Sequence, residues 1–129
     1  MFKFLHKLGL SIGASFVFWS APVLSQELMT VVVAYSPDSQ VYGHQCRRDP
    51  NEARRMAMDN CRLRGGNKCR VVATASDGGC VALATGQDAA FGIGEGSKSG
   101  EAVGMAHDAC GPGCEVQVAR CSRKACAEN

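Results

Sequence analysis

The sequence lacks most of the signatures by which a small chain declares a chemistry. It has no recognisable Ser/His/acid spacing and no phosphate loop. It also has no C-x-x-C pair, which argues against a thiol oxidoreductase and against a structural zinc site. Aromatic residues are scarce: beyond residue 25 there are only Tyr35, Tyr42 and Phe91. Ala, Val and Met must therefore fill the interior, and each buries little area. Ordering roughly 100 residues costs on the order of 100 kcal/mol in chain entropy, so such a core needs covalent support. There is no charge excess either. Beyond residue 25 the chain has 12 basic and 12 acidic residues, which speaks against a cationic nucleic-acid binder and against an acidic tail. No long apolar run follows the first 25 residues, so no membrane span is expected in the remainder.

What is present begins with an export signal. Lys3, His6 and Lys7 form a basic start, Leu8 to Phe18 an apolar stretch, and Val23-Leu24-Ser25 a cleavage site. Residues 1–25 read as a signal peptide and residues 26–129 as one mature domain, placed in the periplasm or secreted. The eight cysteines agree. They all lie in the mature part and are even in number, and an oxidising compartment lets disulfides persist.

The mature chain contains itself twice, as residues 30–79 and 80–121. Val31-Val32-Val33-Ala34 matches Val81-Ala82-Leu83-Ala84, Tyr42-Gly43 matches Phe91-Gly92, Glu52-Ala53 matches Glu101-Ala102, Cys61 matches Cys110, and Cys69-Arg70-Val71 matches Cys114-Glu115-Val116. The offset is 50 at the first strand, 49 through the helix and 45 at the last strand, and it changes only in expected loops. Each repeat reads strand, strand, helix, strand. Thr30–Tyr35, Gln40–Cys46 and Lys68–Ala75 are the expected strands of the first. Its helix has Asp49 as N-cap, Pro50 at the first position, and Ala53, Met56, Ala57, Asn60 and Cys61 on the inward face. The second helix should bury Ala102, Met105, Ala106, Ala109 and Cys110, and Gly111-Pro112-Gly113 should turn the chain into the strand Cys114–Cys121. The fold class expected is α+β, with two helices packed on antiparallel β-structure and the repeats related by a pseudo-twofold.

This order of motifs resembles the bacterial domain of unknown function 4189. The resemblance rests on Ala34-Tyr35-Ser36-Pro37, Glu52-Ala53 through Cys61, Cys69-Arg70-Val71-Val72, Cys80-Val81-Ala82-Leu83-Ala84 and Phe91-Gly92-Ile93-Gly94, and spans about residues 30–121. Members usually carry Trp in the second aromatic-glycine strand, where this chain has Ile93. The resemblance implies the fold and export but no known activity.

The repeat also suggests a cysteine pairing among the 105 that eight cysteines allow. Cys61 with Cys69 and Cys110 with Cys114 would be equivalent local staples between a helix end and the next strand. Cys80 and Cys121 each follow the last strand of a repeat and would pair across the pseudo-twofold. Cys46 and Cys126 would then tie the tail to the second strand.

Candidate sites are few. Gly92-Ile93-Gly94-Glu95-Gly96 resembles a dinucleotide loop only superficially. Its glycines alternate, so in a strand they share one face and admit a close neighbour. No cofactor is expected. His44 and His107 lack a partner at catalytic spacing and read as boundary or surface residues. Residues 46–70 carry eight bases against three acids. Arg47, Arg48, Arg54, Arg55, Arg62 and Arg64 are the candidate surface for an acidic protein or an anionic envelope polymer. The competing reading is a solvated face with helix ion pairs. Three functions follow in order: an exported, non-catalytic binding module; an envelope inhibitor or immunity-type protein that blocks a partner enzyme; and an envelope hydrolase using His44 or His107.

Overall fold

The computed structural model describes residues 28–123 together with Val17 and Cys126. The expected signal peptide (Val17 apart), its cleavage site and most of the C-terminal tail lie outside the described residues. The chain runs β1 (Thr30–Ser36), β2 (Val41–Arg47), α1 (Pro50–Leu63), β3 (Arg70–Ala75), β4 (Cys80–Thr85), β5 (Phe91–Gly96), α2 (Ser99–Cys110) and β6 (Glu115–Cys121). These elements form two antiparallel three-stranded sheets, ordered β2-β1-β3 and β5-β4-β6. The two units share element order and strand order. They even share a register shift at one place, between Val33 and Ala34 in the first and between Leu83 and Ala84 in the second.

The central strands explain the layering. In a strand, alternate side chains point to opposite faces. Val31, Val33 and Tyr35 meet Val81, Leu83, Ala73, Ala75 and Val118 in a core between the sheets. Val32 and Ala34 instead pack with Ala53, Ala57 and Cys61 of α1. Ala82 and Ala84 pack with Ala102 and Ala106 of α2. The result is a helix–sheet–sheet–helix sandwich. Both faces of β1 and β4 are covered, which is why each reads as an unbroken apolar run rather than as an alternation. Tyr35 and Phe91, one from each unit, pack at 4.8 Å between ring centroids and supply much of the bulk between the sheets.

The helices sit low because small residues line both contacts. A Cβ on Gly43 would strike the Ala57 carbonyl, and one on Gly94 would overlap the Ala102 carbonyl oxygen. The alternating glycines of β5 therefore seat α2, which is a structural role. The Asp49 carboxylate accepts the backbone N–H of Asn51 at 2.8 Å and of Glu52 at 3.5 Å, with Pro50 opening α1 as expected. Lys98 makes no side-chain cap for α2. There Glu101 reaches back to the Ser97 N–H and hydroxyl, both at 3.0 Å, and chiefly these bonds hold its carboxyl below the usual range.

Three details differ from expectation. Met105 is 53% exposed and Ala109 is also exposed, while Val103 packs against the sheet. The stripe Ala102, Ala106, Cys110 is narrow because α2 lies so close, so its neighbours at Met105 and Ala109 swing clear. Cys69 and Cys114 precede β3 and β6 rather than lying in them, since each is tied to a helix end. Finally, Cys80 opens β4 and is the direct ladder partner of Cys121, so their bond lies within the second sheet rather than across the two units.

The cysteines join as Cys61–Cys69, Cys110–Cys114, Cys80–Cys121 and Cys46–Cys126, with Cα separations of 6.2, 6.1, 4.0 and 6.0 Å. None is free.

Candidate functional site

A cleft of about 370 Å³ opens where the outer strand of one sheet faces the outer strand of the other. Strand β2 lines it with His44, Gln45, Cys46 and Arg47. The end of α1 adds Asn60 and Arg64, and β6 adds Arg120. The Cys46–Cys126 disulfide closes one side and fastens the chain beyond β6 to β2.

The strand and helix hold these groups in place. Asn60 Nδ2 donates to the His44 carbonyl at 3.3 Å, clamping β2 to α1. The rings of His44 and Tyr42 lie nearly parallel, with centroids 6.4 Å apart. The Arg64 guanidinium sits 5.0 Å over the Tyr42 ring, a cation–π contact that draws it back over the strand. Arg47 donates to the Cys46 carbonyl at 2.8 Å, and Arg120 to the Ala119 carbonyl at 3.2 Å. The Arg47 bond uses only part of a five-donor guanidinium.

The lining contains three arginines and a histidine, and no Asp or Glu among the described residues. That imbalance acts on His44. Burial first, then the charges of Arg120 and Arg64, hold its pKa below the ordinary histidine value. The Nδ1 of His44 is buried and has no hydrogen-bond partner among the described residues.

The six arginines of the candidate surface divide. Arg47 and Arg64 line the cleft. Arg55 and Arg62 flank Asp59 on the exposed helix face, at 3.3 and 3.4 Å. These two thus make the helix ion pairs of the competing reading. Arg48 and Arg54 are exposed. His107 is exposed on α2 and lies apart from His44 and its cleft. Among the described residues no group of three or more His, Cys, Asp or Glu could hold a metal ion. Nor is any helix there long and apolar enough to cross a membrane.

Sequence reasoning did not single out Gln45, Asn60 or Arg120 as cleft residues. For Arg120 a signal existed, because at the last-strand offset of 45 it stands where the first repeat has Ala75. A cation placed against a small apolar equivalent marks a position freed from the shared scaffold.

No curated protein and no solved structure matches the chain. A family model does match, over residues 31–126, which takes in both sheets, both helices and the cleft. The chain therefore belongs to the family described as Domain of unknown function (DUF4189).

Proposed function

We propose that the protein is an exported binding module without catalysis, which engages an anionic partner through the cleft between its two sheets. The observation that carries this reading is the convergence of Arg47, Arg64 and Arg120 on one concavity with no acidic lining among the described residues. Export is supported by the basic and apolar N-terminal pattern and by the pairing of all eight cysteines. A binding rather than catalytic role is supported by the company His44 keeps. Cations and amides surround it, and among the described residues the cleft offers neither a nucleophile for it to activate nor a carboxylate to orient it.

The charge distribution favours the same side. Residues 30–79 have eight bases and five acids, while residues 80–121 have two bases and five acids. Such a field steers oppositely charged partners and speeds encounter more than it adds affinity. Partners are captured from envelope extract on the disulfide-intact protein, and association is then followed at varied salt. Reversing Arg47 and Arg64 to Glu should slow association and flatten its salt dependence. The same reversal at Arg55 and Arg62 should change less, because Asp59 already offsets them. An on-rate at low ionic strength that is unchanged by the first reversal would overturn the reading.

A further inference from the structure

Positive charge alone does not account for His44. Buried polar atoms nearly always have partners, so an imidazole nitrogen on a cleft-lining residue with none among the described residues calls for one. The groups around it come from every element of the cleft. Arg64 follows α1, Arg120 lies on β6, and Arg47 and Tyr42 share its own strand, while β1 contributes only Val31. A planar guanidinium fork matches the oxygens of a phosphoryl, sulfate or carboxylate group. The cleft volume lies within the range of small-ligand pockets.

We propose that this cleft is an oxyanion pocket in which Arg47, Arg64 and Arg120 hold the negative charge and protonated His44 donates a hydrogen bond, so that binding takes up a proton. The proposal rests on the binding reading above and adds the ligand's chemistry and a response to pH. In the free protein, burial and the two neighbouring arginines disfavour the imidazolium. A bound oxyanion reverses this by offsetting the arginine field and by accepting the His44 N–H. The cationic form is therefore favoured in the complex. Affinity rises as pH falls through the His44 pKa of the complex, and it levels off below the lower pKa of the free protein.

Sulfate is the probe, because its charge is constant where only histidine titrates. Binding is followed by NMR shifts of the His44 ring at fixed ionic strength on the disulfide-intact protein. Sulfate should bind about tenfold more tightly at about pH 5.5 than at about pH 7.5, and His44→Gln should abolish that difference. Arg64→Gln should weaken binding about tenfold at both values, as expected for a lost charge-assisted bond. The His44 pKa of the unaltered protein, measured with and without sulfate, gives a readout that needs no variant, and it should rise on binding. A short polyphosphate separates the sources. Affinity per group above that of sulfate marks a chain-borne ligand and equal affinity a free one; either result, if lost in Arg64→Gln, supports the pocket. No shift at His44, or the same pH response in His44→Gln, would overturn it. If partner capture still depended on Arg47 and Arg64 in that case, the binding reading would stand without the pocket.

Discussion

At one rung of the first sheet Val31 lies between Cys46 and Ala75, and at the same rung of the second sheet Val81 lies between Glu95 and Arg120. The equivalence continues along the strands. His44, Gln45 and Arg47 of β2 stand where β5 has Ile93, Gly94 and Gly96. One outer strand thus presents a polar row to a cleft, while the other is pared back so that α2 can lie against it. The edges of the central strands differ in the same spirit. The hydroxyls of Thr30 and Ser76 meet at 3.2 Å where the second unit has the Cys80–Cys121 bond. The two units share a scaffold set by their central strands and differ where a side chain leaves the shared core. The second unit adds a disulfide within its sheet, and the first carries most of the cations.

Exchanging these differences tests the comparison. The largest effect should come from making the second unit copy the first at its covalent rung. Cys80→Thr with Cys121→Ser should cost about 3–4 kcal/mol, since that bond closes a long loop in the unfolded chain. Removing Cys110 and Cys114, which are only four residues apart, should cost nearer ~2 kcal/mol. Urea unfolding of both variants decides it, and equal losses would break the loop-length account.

The next exchange concerns the helix seat. Gly94→Gln copies Gln45 into the second sheet and drives a Cβ into the Ala102 carbonyl, so about 2–3 kcal/mol should be lost. The reverse change, Gln45→Gly, should cost only about 1 kcal/mol, from the added freedom of the unfolded chain. Thermal unfolding that ranks the two the other way would mean that α2 does not rest on β5 as closely as the glycines indicate.

The smallest effect lies at the helix starts. Asp49→Ala should cost ~1 kcal/mol by uncapping α1, and Lys98→Asp should stabilise α2 by up to ~1 kcal/mol by supplying the cap it lacks. Hydrogen exchange in the first turn of each helix would report these changes locally, with slower exchange expected only at the turn that gains a cap.

Much of this architecture is legible without coordinates, for reasons tied to particular residues. Asp49, Pro50 and Glu52 start a helix by local chemistry that needs no tertiary partner. The alternating glycines of β5 signal a close approach because a strand places them on one face. The repeat carries more still. Its offsets align Cys61 with Cys110 and Cys69 with Cys114, so the helix-end staples follow from proximity in sequence. The repeat also pairs Cys80 with Cys121 but places the bond across the two units instead of within one sheet, because strand register is a non-local property.

The cleft was only half visible. Arg47, Arg64 and His44 stood out as residues, yet nothing local distinguishes Arg64 from Arg62, two positions away. Arg64 is the first residue past α1, and it turns over the Tyr42 ring of β2, a contact made only in the folded chain. Local patterning determined the helices, the strands, the twofold repetition and the staples at the helix ends, because caps, periodicity and spacing act over a few residues. Tertiary structure alone decided that the two sheets stack face to face with the helices outside. It thereby brought Arg120 of the last strand beside His44 of the second, for such a meeting depends on the packing of buried faces, to which sequence separation is no guide.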